Sequence, residues 1–150
     1  MKESVIGIKS TYLHSASWDE LHAITKRWQS ENDFYNYEIT FLKKLLDKYF
    51  IWMTKKENIA QVRKLVIQLS TLEKRHKDIG SAISKHLNHI ALYLENAFSH
   101  DEQLFRFEHS VLLQRIEEFT NEFRKVKKEF FEISEEVLDH KKLQLLLEKN

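Results

Sequence analysis

A stretch of 150 residues with no proline and only two glycines, Gly7 and Gly80, has few means of reversing direction. Turns draw on Gly, Pro, Asn and Asp, because each supplies or tolerates the backbone conformations a reversal needs. A sheet protein of this length needs many reversals, so the scarcity points to a few long helices joined by short connections. Charged residues make up 31% and apolar ones 42%, the balance of a water-facing, mostly helical chain. The fold class read from these features is all-α. The length suits one domain, residues 1–150, that buries roughly 68–70% of its unfolded surface.

The first helix is expected to begin at Ser17, because Ser17-Trp18-Asp19-Glu20 reads as a capping box in which Ser and Glu each satisfy a free backbone donor. Residues 1–16 are expected to be irregular. Leu21, Ile24, Trp28, Tyr35, Leu42, Leu45, Leu46, Tyr49 and Met53 then recur three or four residues apart. A second Ser-x-x-Asp, Ser30 to Asp33, is a possible break near 30–33 that would give four helices, but the apolar stripe crosses it in phase. The segment TKKEN (54–58) is the first turn. A second helix carries Ile59, Val62, Val66, Leu69, Ile83, Leu87, Ile90 and Leu94, and SHDEQ (99–103) makes the second turn, with Ser99 or Asp101 as cap. The third carries Phe105, Leu112, Ile116, Phe119, Phe123, Val126, Phe130, Val137 and Leu145. Three such helices, each roughly 55–70 Å long at 1.5 Å per residue, pack most economically as an antiparallel up-down-up bundle.

Charge and composition exclude several functions. With 24 basic against 23 acidic residues the chain has no basic footprint for nucleic acid, and no basic helix for a membrane surface. Without cysteine there is no disulfide framework, thiolate nucleophile or cysteine metal site. The opening MKESVIGIKS is too short and polar for a secretory apolar region, and no segment approaches a membrane span, so the expected location is the cytoplasm. No phosphate-cradling glycine loop or nucleophile triad can be assembled, which favours a non-enzyme.

Helix one carries more aromatics than one seam can bury. Phe34, Phe41 and Trp52 lie about 80–100° from the Leu42 line on a helical wheel. They either meet another element of the bundle or cover a subunit interface, since an exposed aromatic strip is a liability. Leu143, Leu145, Leu146 and Leu147 near the C-terminus also favour a homodimer or another protein partner.

Polar residues interrupt the apolar arcs. His76 and Gly80 lie about 20°, and Glu73 about 40°, from Leu69. Glu31 and Glu38 fall on the buried side of helix one, and His109, Lys127 and Ser134 interrupt helix three. Folding back at the two turns sets Glu38 opposite Glu73, and Glu73 across from Lys127, so Glu38, Glu73, His76 and Lys127 are expected to share a layer. Two roles fit it. One is a buried ion-pair network in which Lys127 and His76 neutralise the carboxylates. The other is a ferritin-like site for iron, manganese or zinc, with Glu38, Glu73 and His76 as ligands and Glu31 as a spare carboxylate. Glu73-Lys74-Arg75-His76 resembles the Glu-x-x-His of such bundles, yet no second Glu-x-x-His exists and Lys127 adds a cation.

The run from His76 through Gly80-Ser81-Ala82 resembles the histidine phosphotransfer signature, in which the histidine accepts a phosphoryl group and glycine makes room for the partner. Ile79 stands where that family has a lysine. His86 and His89, one turn apart, are placed by the wheel on the polar side of helix two as solvated surface. Gly80 itself is expected to mark a close contact between helices.

Trp28-Gln29-Ser30-Glu31, Phe34-Tyr35, Glu38-Ile39, Phe41-Leu42 and Leu45-Leu46 together resemble the opening helix of uncharacterised small helical proteins of bacteria. The resemblance covers residues 28–46 and implies a bacterial cytosolic bundle, with no assigned activity. The overall expectation is a non-enzymatic interaction or scaffolding bundle that self-associates. A metal-binding bundle is the alternative, and a phosphotransfer protein acting through His76 the third reading.

Overall fold

A computed structural model describes residues 15–53, 59–95 and 101–148, with side chains described to residue 50, over 59–95 and over 101–136. Among the described residues there are three long helices: α1 (Trp18–Met53), α2 (Ile59–Glu95) and α3 (Glu102–Glu148). They form the expected antiparallel three-helix bundle, and α1 runs unbroken through residues 30–33. Trp52 and the leucines of LQLLLEK lie outside the described side chains, as do the residues of TKKEN and the Ser99 cap.

The helix starts follow from local chemistry. Ser17 caps α1: its Oγ accepts from the Glu20 amide at 3.2 Å, and its carbonyl accepts the first helical bond from Leu21 at 2.9 Å. Asp101 caps α3 in the same way, with the Leu104 amide on its Oδ1 at 3.2 Å and the Phe105 amide on its carbonyl at 3.1 Å. The Tyr93 hydroxyl, at the end of α2, donates to that same Asp101 carbonyl at 2.5 Å. One residue thus starts α3 and ties it to α2.

Inward positions follow alternating steps of three and four. On α1 they are Leu21, Thr25, Trp28, Asn32, Tyr35, Ile39, Leu42, Leu46 and Tyr49. On α2 they run Val62, Leu65, Leu69, Leu72, His76, Ile79, Ile83, His86, Ile90 and Tyr93, and on α3 Phe105, His109, Leu112, Ile116, Phe119, Phe123, Val126, Phe130 and Ile133. This seven-residue spacing corrects the expected stripe of α2. Ile59, Val66 and Leu94 are exposed, whereas Leu65, Leu72, Ile79, His86 and Tyr93 are buried. An ideal helix drifts about 20° per heptad against a 3.5-residue seam, so a wheel turned at 100° per residue misplaces residues far from its origin.

Contacts divide the chain into two compact units, each drawing a segment from all three helices. One comprises Met1–Phe34 with Lys77–Glu118, the other Tyr35–His76 with Phe119–Asn150. In the first, Ala16, Leu21, Ile90, Tyr93 and Phe105 form a core cluster against which Trp18 packs. The Trp18 ring stacks on Tyr93 at 4.6 Å and meets Phe105 edge-on at 5.2 Å. In the second, Tyr35 sets its ring edge-on against Phe119 and Phe123, at 5.2 and 5.1 Å.

Phe34, Tyr37 and Phe41 of α1 do not enter either core. Phe34 is 60% exposed in the first unit, and Tyr37 and Phe41 are 74% and 54% exposed in the second. Truncating a buried ring should therefore cost far more than truncating an outer one. Phe123→Ala is expected to lower unfolding free energy in urea by about 3–5 kcal/mol. Tyr37→Ser, measured at concentrations where the chain is monomeric, is expected to change it by less than about 0.5 kcal/mol.

Candidate functional site

The structure separates the residues that the sequence places in one polar layer. Glu38 and Lys127 do meet: the Lys127 ammonium donates to Glu38 Oε1 at 2.9 Å, both side chains being partly buried. Glu73 pairs with Lys43 at 2.9 Å, and not with Lys127 as expected. The hydrogen bond and charge of Glu73 raise the pKa of Lys43 above its ordinary value. Glu73 thus reaches along α1 to Lys43, five residues beyond Glu38. Glu31 is exposed, not inward. His76 occupies a half-buried core position, its ring 6.2 Å from that of Phe119.

Glu31, Glu38, Glu73 and His76 consequently do not assemble as a ligand set. Among the described residues no group of three or more His, Asp or Glu side chains is arranged to hold a metal ion. Two of the carboxylates are instead matched to lysine ammonium groups, a pairing that suits an ion-pair network. Gly80 has an internal explanation as well. A Cβ there would come within 3.1 Å of Asn32 Nδ2, so glycine lets α1 and α2 approach closely at that level. Ser134 is buried as expected, with no hydrogen-bond partner for its hydroxyl among the described residues.

The most unusual chemistry lies in the first unit, at a residue that the wheel assigns to solvent. His86 is 5% exposed and His109 fully buried. His86 Nε2 and His109 Nδ1 are 2.8 Å apart, so one carries the proton and the other accepts it. Each ring is also held by an aromatic face: His86 stacks on Phe105 at 4.5 Å, and His109 on Trp28 at 4.5 Å. The seven-residue spacing makes both residues core positions, and that was the signal available in the sequence.

Burial disfavours the imidazolium at both sites. Removal from water, reinforced by His89, lowers the His86 pKa to about 4. For His109 burial again dominates, with His86 and Arg106 adding to it, and the pKa falls to about 3. At neutral pH the pair is therefore two neutral rings sharing one hydrogen bond.

Beside this pair a surface groove with about 340 Å³ of space opens between α2 and α3. His86 reaches its wall from the core side, and Leu112 forms part of its floor. His89 and Glu108 face each other across it, with His89 Nδ1 3.4 Å from the Glu108 carboxylate.

No family model matches the chain, and no curated protein or solved structure matches it significantly.

The histidine pair gives stability a defined pH dependence. Both folded pKa values lie below the ordinary 6.5, so the unfolded chain takes up protons first as pH falls. Stability is complete above about pH 6.5 and is lost toward pH 4, at up to about 1.4 kcal/mol per pH unit for each ring. Urea unfolding between pH 7 and 4 measures it. Replacing both partners, as in His86→Phe with His109→Leu, is expected to flatten that part of the profile.

Proposed function

We propose that the chain is a non-enzymatic interaction or scaffolding bundle that self-associates as a homodimer in the bacterial cytoplasm. The observation that carries this reading is the exposure of Tyr37 and Phe41 on the outer side of α1, beside a core whose inward positions are already filled. Isolated apolar residues on a surface are ordinary. Two aromatic rings one turn apart on a regular helix are different, because they offer a large contact area at small conformational cost and favour burial against a partner. Lys44 and Lys48, exposed along the same helix, would form the polar rim such a contact needs.

Three further features support the reading. Among the described residues no helix is long and apolar enough to cross a membrane. The buried polar side chains of the first unit find partners within the fold, Thr25 in the Leu21 carbonyl and His86 in His109. The likeness of residues 28–46 to small bacterial helical proteins fits the same assignment. The metal and phosphotransfer alternatives have less support. Glu38 and Glu73 are matched to lysines, and Gly80 is used for the approach of Asn32.

Sedimentation equilibrium over a wide range of concentration tests the proposal. The wild type is expected to be dimeric at micromolar concentration, and Tyr37→Ser with Phe41→Ser to be a folded monomer. A wild type that stays monomeric at high concentration contradicts self-association. A dimer untouched by the double substitution contradicts this face.

A further inference from the structure

The groove of the first unit has a composition that specifies a ligand class independently of self-association. Its lining is mainly apolar, with Ala82 from α2 and Phe107, Val111 and Leu112 from α3. Lys85 on one side and Arg115 on the other bring two cations to the same opening. Neither makes an ion pair or hydrogen bond among the described residues. The acidic side chain of the groove, Glu108, has its carboxylate 3.4 Å from His89 Nδ1. An apolar trough with two cations and one carboxylate, the carboxylate held beside His89, is complementary to an apolar body carrying one negative group at the cations. Its volume lies at the small end of ligand sites, which selects a small molecule over a protein helix.

We infer that this groove binds a small amphipathic carboxylate, with the apolar chain along Phe107, Val111 and Leu112 and the carboxylate at Lys85 and Arg115. Arg offers paired donors in a plane that matches a carboxylate, and Lys adds a mobile point charge. His86 and His89 line the groove and therefore report its occupancy directly.

Octanoate is a suitable probe, with octanol as the uncharged control of equal chain length. Calorimetry at pH 7 is expected to show saturable one-to-one binding of octanoate, and NMR to show shifts of the His86 and His89 ring protons on titration. Octanol, and octanoate with the Lys85→Ser, Arg115→Ser variant, are each expected to bind about tenfold more weakly. Both substituted residues are exposed, and circular dichroism verifies that the variant remains folded. Absence of saturable octanoate binding, unmoved histidine signals at saturation, equal affinity for octanol, or undiminished affinity of the double variant would each overturn the inference.

Discussion

The described structure depends on keeping a buried seam along each of three long helices. A straight helix rotates its apolar residues away from a partner by about 20° every seven positions. Only a repeat of three and four keeps them inward, and each helix maintains one through its described core. The consequence is strict: at every level the sequence must supply a residue that tolerates burial, whatever its chemistry. Where that residue is polar it calls for a partner within the fold, from its own helix as Thr25 has in the Leu21 carbonyl or from a neighbouring one, because an unpaired polar group in the core costs roughly 1–3 kcal/mol. His86 with His109 is the clearest case. Their neutrality, their stacking on Phe105 and Trp28, and the sensitivity to acid all follow from occupying seam positions.

The features that could be read in the sequence were local ones. Ser17 and Asp101 announce their helices because a capping side chain needs only residues three positions away. The scarcity of proline and glycine pointed to helices, the two polar turns left three or four of them, and the uninterrupted stripe favoured an α1 continuous across residues 30–33, as observed. Gly80 was legible as a close approach, though Asn32 as the neighbour was not. Features that depend on phase or register were harder. His86 appeared solvated because a 100° wheel accumulates error over the two dozen residues from Val62, whereas counting in sevens places it inside. Glu73 was assigned to Lys127 instead of Lys43 because a turn of unknown geometry leaves the level of facing residues undetermined by a turn or more. Glu31, beside a seam position, emerged exposed while Glu38, seven residues on, was drawn in by Lys127.

The same division between seam and surface organises the functional reading. Several polar groups on or beside the seam find partners within the fold: Glu38 in Lys127, His86 in His109, the Asp101 carbonyl in Tyr93. Such residues set level and register more than they perform chemistry. Outside the seam the order is reversed, with aromatic rings left in water on α1 and two cations flanking an apolar groove between α2 and α3. These two surfaces carry the proposals made above, a second copy of the chain for the aromatic face and a small anion for the groove.

The buried histidine pair tests the central claim most directly, since it exists only if the seven-residue seam runs through His86 and His109. Assigned NMR spectra of the histidine rings between pH 7 and 4.5 are the measurement. The expected result is that both rings stay neutral down to pH 5, with coupling between His86 Nε2 and His109 Nδ1 across their shared proton. Titration of either ring near its ordinary value of 6.5, or rapid exchange of the shared proton with solvent, would contradict the seam as described.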